Sequence, residues 1–359
     1  MKASWQRIAS IPLMILLLLG LPFASAQAQS AETEQEAPAV ETQAVVLIYH
    51  RFGEDEYPST SVTMDQFQSH IAELTSGRYT VLPLGQVVSA LEAGETLPDR
   101  TVALTVDDAY LSFYEHAWPL LRDAGIPSSL FVATEAVDRG TPGYMTWDQI
   151  REVAQSGVTI GSQAVTHPHM PEYGPERWQR ELAESADRIA EELGARPDLF
   201  AYPYGEASLE IMEATQAAGY RAAFGQHSGA LNETNHRFYL PRYPINVNYG
   251  GIDRFRRLVN SAPLRIEGLS PRDPTLPTEG EGNPPTFGFT VRDDLARIDD
   301  LACYHSDTSQ ISQFLVMGAR VEVRFDGAFA LGRTRINCTM PGTDGRWHWF
   351  GMQYYVPTP

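Results

Sequence analysis

The chain has 359 residues and a formal net charge of −18 at pH 7. That length exceeds what one hydrophobic core usually serves, so two folding units are expected. The acidic balance argues against nucleic acid and anionic membrane surfaces as partners, because both need clustered Lys and Arg.

Lys2 and Arg7 precede an apolar run, "IPLMILLLLGLPFA", that ends in "SAQAQS". A charged n-region, a short h-region and a small-x-small site describe a secretory signal over residues 1–26. The run is short for a membrane span, which takes about 20 apolar residues, and no other stretch could cross a bilayer. The mature chain is therefore expected to be periplasmic or secreted, with no stable membrane insertion after cleavage. Residues 27–43, "AQSAETEQEAPAVETQA", are acidic and almost devoid of large apolar side chains, and so read as a flexible tether.

From Ala44 onward strands and helices alternate. "AVVLIYH" is a β-branched run, and "MDQFQSHIAELTS" places Met64, Phe67, Ile71 and Leu74 on one helical face. "YTVLPL" and "TVALTV" read as strands around a helical "LGQVVSALEAG". "AYLSFYEHAWPLLRDAG" reads as one helix ending at Gly125, followed by the strand "SSLFVA". A helix over 146–156 leads into "GVTIGSQAVTHPHMP". The amphipathic "ERWQRELAESADRIAEELG" follows, then "LFAYPYG", a helix over 207–218, "YRAAFG" and "FYLPRYPI". Continuous apolar strands alternating with helices predict an α/β fold, a (β/α) barrel of about seven strands over residues 44–262. Polar residues at the strand C-termini would then share one rim, where barrel active sites lie.

The rhythm changes near residue 262. "LSPRDPTLPTEGEGNPP" is rich in Pro, Gly and acid, and only 292–300 offers another helix. "TFGFTV", "LACYHS", "ARVEVRF", "TRINCTM" and "WHWFGMQYYV" predict a β-sandwich domain over residues 263–359. The barrel is expected to own its core, so that the chain could end near Ser270 without loss of fold. The only two cysteines, Cys303 and Cys338, are both in this region. An oxidising compartment permits a disulfide between them, and two buried thiols fit equally well. Trp347, Trp349 and Met352 could share an exposed face that stacks on sugar rings, although base rates favour a place in the core.

The residues with chemical potential stand at strand ends. They are His50 after "VVLIY", Asp107 and Asp108 after "ALTV", Gln163, His167 and His169 after "VTIGS", and Tyr204 and Gly205 after "LFAYP". Two adjacent carboxylates at the end of an apolar strand are costly unless something compensates them. A divalent cation would do so, with one carboxylate binding it and the other acting as base toward a metal-bound water. A helix N-cap pair is the plainer explanation of Asp-Asp taken alone.

In order, "LIYHRFG", "TVDDAY", "THPHM" and "FAYPYG" resemble the motifs of the NodB-homology polysaccharide deacetylases, carbohydrate esterase family 4. The arrangement particularly resembles the subgroup acting on poly-N-acetylglucosamine, and it covers about residues 44–260. The resemblance implies removal of acetyl groups from an N-acetylglucosamine-containing polysaccharide with a divalent metal ion, zinc or similar. It makes Asp107 the general base, Asp108 and His167 metal ligands, and His50 the acid that protonates the leaving amine. The backbone N–H of Tyr204 would hold the oxyanion.

The departures bear on the same site. Gln163 stands where the family has its first ligand histidine, and an amide oxygen is a poorer donor to zinc than imidazole. Ala164 replaces a Ser/Thr. Ala201 replaces the arginine that orients the base, a role Arg242 in "LPRYPI" could fill from another strand. His169 could serve as a ligand only if its loop folds back. A non-catalytic polysaccharide-binding or processing protein on a degenerate deacetylase barrel is the alternative. A glycoside hydrolase fits poorly, since it needs carboxylates facing each other across a cleft.

Overall fold

β1 (Gln43–Tyr49), β2 (Thr101–Asp107), β3 (Ser128–Val132), β4 (Thr159–Ser162), β5 (Leu199–Ala201) and β6 (Ala222–Phe224) run parallel in spatial order. β7 (Leu231–Asn232) adds to the other side of β1 antiparallel, giving a curled half-barrel of seven strands with helices between them. The computed structural model describes residues 42–306 and 311–358, so the predicted signal and nearly all of the tether lie outside the described residues. β1 begins at Gln43, one residue before the expected boundary. Every residue of β2 is buried, as a parallel strand covered on both faces requires. Among the described residues no helix is long and apolar enough to cross a membrane.

The helix at Met64–Leu74 starts with a capping box made by Thr63 and Gln66, and it buries Phe67, His70 and Leu74. The single helix expected after Tyr110 is instead a π-helical turn, Phe113–Ala117, followed by an α-helix, Trp118–Asp123. Pro119 explains the division, because proline inside an α-helix removes a hydrogen bond and collides with the preceding turn. "FYLPRYPI" was expected to be a strand, and only β8 (Tyr243–Pro244) pairs, alongside Leu47 and Ile48 of β1. Pro241 and Pro244 lack the donors a longer ladder would need. Leu240 also bridges to Phe224 of β6, so this segment spans the gap between β6 and β1 and carries Arg242 to the barrel interior.

After the last helix of the barrel (Ile252–Val259) the chain is β-rich. The strands are β9 (Ala262–Pro263), β10 (Ile266–Ser270), β11 (Phe287–Val291), β12 (Ala302–His305), β13 (Ile311–Met317), β14 (Arg320–Phe325), β15 (Gly332–Pro341) and β16 (Trp347–Val356). They form two four-stranded sheets, ordered β9-β16-β15-β12 and β10-β11-β14-β13. The segment 292–300, read as a helix, contains a 3-10 helix, Leu295–Asp300. A disulfide joins Cys303 of β12 to Cys338, its register partner on β15.

Two buried apolar clusters are made of barrel residues, and a third is shared with the sandwich. The shared cluster includes Phe200, Tyr202, Ile211 and Met212 of the barrel together with Phe287, Phe350 and Tyr354 of the sandwich. Polar contacts reinforce it: Arg346 donates to the carbonyls of Asn260 and Ser261, and Tyr239 Oη donates to the carbonyl of Gln353. Within the aromatic stretch of β16, Met352 is buried and Trp349 packs edge-on against Tyr243 at 5.3 Å. Only Trp347 of that trio is exposed.

Candidate active site

Asp107 is the last residue of β2 and is fully buried. Arg242 reaches it with both terminal nitrogens, Nη1 to Oδ1 at 2.7 Å and Nη2 to Oδ2 at 2.9 Å. Arg242 also donates to Thr105 Oγ1 and to the carbonyl of Gly225, and Phe131 and Phe224 flank its guanidinium. Both ions are inaccessible to solvent, so each depends on the other for compensation. Arg242 thus reaches the Asp107 carboxylate from the segment just before β8.

Asp108 turns the chain out of the strand at φ 74°. Among the described residues, six non-glycine positions have positive φ, and five of them are Asp108, Ala109, Ala164, His167 and Tyr204. Each such conformation costs on the order of 1–3 kcal/mol and persists only where its surroundings over-determine it. Strain is therefore concentrated at one rim of the barrel, where the strand-end residues meet. The loop carrying His167 is held by the buried carboxylate of Glu181, which accepts from the backbone N–H groups of Val165 and Thr166 at 2.9 Å and from Thr166 Oγ1 at 2.7 Å.

His167 Nε2 lies 3.3 Å from Asp108 Oδ1. Burial works to raise the Asp108 carboxyl, but His167 and the nearby His50 outweigh it and hold the group down at about 2. Burial likewise pulls His167 down, and the close Asp108 carboxylate overcomes it, leaving the imidazole above its usual value. Asp108 Oδ1 and His50 Nδ1 are both buried without a directed hydrogen bond. Both residues line a cleft of about 700 Å³ that also contains Tyr110, Tyr144, His167 and Tyr204.

Gln163 is fully buried, between the Asp107 carboxylate and the backbone of Asp108. Its Oε1 accepts from the backbone N–H of Asp108 at 3.0 Å, while Nε2 faces Asp107 Oδ2 at 3.4 Å and His167 Nε2 at 3.3 Å. Rotating the amide would set two donors against each other at Asp108 N and two acceptors at Asp107, so this orientation is fixed by its neighbours. The oxygen that sequence reading offered to a metal is engaged elsewhere, and an NH₂ group stands in its place. Among the described residues, no three His, Cys, Asp or Glu side chains gather as a metal site. Asp108 and His167 supply two donors, so the residues present do not complete the three-ligand set of the resemblance.

His169 is directed away from Asp108. Its Nδ1 pairs with Glu206 Oε2 at 2.7 Å, and its ring stacks on Tyr204 at 4.2 Å. Tyr204 and Gly205 form a tight turn in which a Cβ on Gly205 would meet the backbone nitrogen of Gln226 at 2.4 Å. Gln353 of β16 donates from Nε2 to the carbonyls of Tyr204 (3.1 Å) and Gly205 (2.9 Å). Sequence reading missed Glu181, Glu206 and Gln353. Glu206 directly follows the "FAYPYG" motif and could have been suspected, whereas nothing local marks Gln353, about 150 residues away in the chain.

Residues 94–223 match the family model for polysaccharide deacetylase. The poly-beta-1,6-N-acetyl-D-glucosamine N-deacetylase of Escherichia coli (strain K12) is 26% identical over 215 residues, covering 48% of this chain and 32% of that protein. The protein of the same name from Staphylococcus aureus (strain COL) is 24% identical over 263 residues, covering 66% of this chain and 86% of its own length. The Streptococcus pyogenes deacetylase PplD, solved in complex with acetate, shares the fold at a TM-score of 0.57 and 22% identity, over 60% of this chain and 98% of its own. Fold and matches together define a NodB-like deacetylase domain. Over the barrel the chain is similar to the polysaccharide deacetylases, hydrolases acting on carbon–nitrogen bonds other than peptide bonds.

Proposed function

We propose that the chain hydrolyses the acetamido group of an N-acetylglucosamine-containing polysaccharide, in the periplasm or outside the cell. The observation that carries this reading is the buried Arg242–Asp107 pair beside a cleft holding Asp108, His167, Tyr204 and His50. The names of the Escherichia coli and Staphylococcus aureus relatives support the substrate class. The signal-like residues 1–26 and the Cys303–Cys338 disulfide support export.

In this reading water attacks the acetyl carbonyl carbon and gives its proton to Asp107. Arg242 fixes the carboxylate by gripping both of its oxygens, Oδ1 at 2.7 Å and Oδ2 at 2.9 Å. The developing oxyanion is met by the N–H of Tyr204, in a turn that needs no reorganisation because Gln353 and Gly205 hold it. His50 protonates the nitrogen as the C–N bond breaks, and acetate and a free amine leave. The family's metal would polarise the carbonyl and water, but with the Gln163 amide turned as it is we route no step through one.

Binding without turnover is the second reading, and the NH₂ group of Gln163 favours it. The two are separated by assaying acetate release from β-1,6-linked N-acetylglucosamine oligomers, with the full chain and with Asp107→Asn, each with and without added zinc, cobalt or nickel. Release by the wild type and not by Asp107→Asn supports hydrolysis. Oligomer binding with no acetate under any condition supports the binding reading.

A further inference from the structure

The cleft is walled in part by β15 of the sandwich, which contributes Arg333 and Arg335. Arg333 lies over the Tyr204 ring, its guanidinium carbon 5.4 Å from the centroid, and its Nε is 3.4 Å from Glu206 Oε1. Glu206 is buried and shared with His169, so it compensates charges already present. Arg335 is different. Its Nε donates to Gln353 Oε1 at 3.0 Å, and among the described residues no carboxylate pairs with it. Burial and the neighbouring charge of Arg333 both disfavour its cationic form, and the Glu206 carboxylate, already shared by His169 and Arg333, offsets them only in part.

The other charges of the cleft do not supply a counter-ion. Glu135 is paired with Arg139 at 2.6 Å, and Asp108 lies against His167. An excess of positive charge therefore remains at one end of the cleft, in a chain whose net charge is −18. Nε of Arg335 is anchored by a buried glutamine, which leaves the two terminal nitrogens to present a planar pair of donors. That geometry suits a carboxylate held by two hydrogen bonds.

We propose that Arg335, assisted by Arg333, forms an anion subsite for a sugar carboxylate, so that the polysaccharide taken by this cleft carries acidic residues beside its acetamido sugars. The proposal rests on the deacetylase reading for the identity of the polymer and adds the class of its neighbouring sugar. The subsite comes from the sandwich and the reacting groups from the barrel, which gives the C-terminal region a part in selecting substrate.

The test uses the full chain and two defined probes of equal length. One alternates glucuronate with N-acetylglucosamine; the other is a neutral N-acetylglucosamine oligomer. Affinities are measured by calorimetry at low and high salt for the wild type, Arg335→Gln, Arg335→Lys and Arg333→Gln, with acetate release followed separately. The wild type should bind the acidic oligomer about tenfold or more tightly than the neutral one, as a charge-assisted pair at a partly buried site allows. That ratio should shrink with salt, approach one in Arg335→Gln, be partly kept in Arg335→Lys, and fall less in Arg333→Gln. Equal affinities in the wild type, or an unchanged ratio in Arg335→Gln, would overturn the subsite. Tight, Arg335-dependent binding of the acidic oligomer without acetate release would uphold the subsite and count against the hydrolytic reading instead.

Discussion

Gln353, three residues before the end of the last strand, grips the turn at Tyr204 by donating to the carbonyls of Tyr204 and Gly205. The side chain is 1% exposed, so no water replaces it when it is removed. Gln353→Leu should cost about 1–3 kcal/mol through the unpaired buried carbonyls. If the Tyr204 N–H holds the oxyanion, kcat for acetate release from a neutral N-acetylglucosamine oligomer, which does not use the Arg335 that Gln353 also anchors, should fall at least tenfold with little change in KM. Chemical denaturation and steady-state kinetics on the same variant check the two parts separately.

Arg242 and Asp107 form an ion pair with no solvent access. Arg242→Met leaves Asp107 as an uncompensated buried charge and should destabilise by about 3–5 kcal/mol. Acetate release should be lost with it. Arg242→Lys restores charge without the two-pronged geometry, and should recover part of the stability but little of the activity. Urea titration, compared with acetate release at a temperature where each variant remains folded, measures this.

His70 gives the chain an acid sensitivity of known sign. It is stacked on Phe255 at 4.0 Å, with Nε2 2.7 Å from the Gly250 carbonyl and Nδ1 3.1 Å from Tyr49 Oη. Burial lowers its pKa to about 4, against the weaker opposing pull of the Gly250 carbonyl. The folded state thus holds His70 neutral while the unfolded chain protonates it near 6.5, so stability is full above 6.5 and is lost as pH falls from there to about 4. The loss is on the order of 3 kcal/mol. His227, lowered by burial to about 3, acts in the same direction. In His70→Gln the slope of stability against pH between 4 and 6.5 should be shallower than in the wild type, as followed by urea unfolding at several pH values.

Gln163 presents an NH₂ group where a third metal donor would have to stand. Gln163→His should create an imidazole beside Asp108 and His167 and raise zinc affinity by about tenfold or more. Calorimetric titration of both proteins with zinc, cobalt and nickel reads this directly, whatever the activity. No gain for any of the three ions would mean that the loop cannot bring the new ring to Asp108.

The shared core makes a prediction about truncation. A chain ending at Ser270 would expose Phe200, Tyr202 and Met212, which pack in one cluster with the sandwich, and would lose Gln353 as well. It should show no cooperative thermal transition by calorimetry, whereas the full chain should show one.

Local sequence determined much of this protein. Apolar runs ending in polar residues located β1, β2 and β4, and hence put His50, Asp107, Asp108 and Gln163 at one rim, because a parallel strand buried on both faces can carry charge only at its end. The glutamine standing among the histidines of this loop was legible too, and so was Arg242 as a partner for Asp107. Only the tertiary structure decided what these residues do to one another. The direction of the Gln163 amide is set by Asp108 N–H and Asp107, the diversion of His169 by Glu206, and the hold on Tyr204 by a strand about 150 residues later. Helix and strand periodicity reports which side of an element is buried. It carries no information on which buried polar groups will be paired, since that depends on the few tenths of an ångström at which separate elements meet.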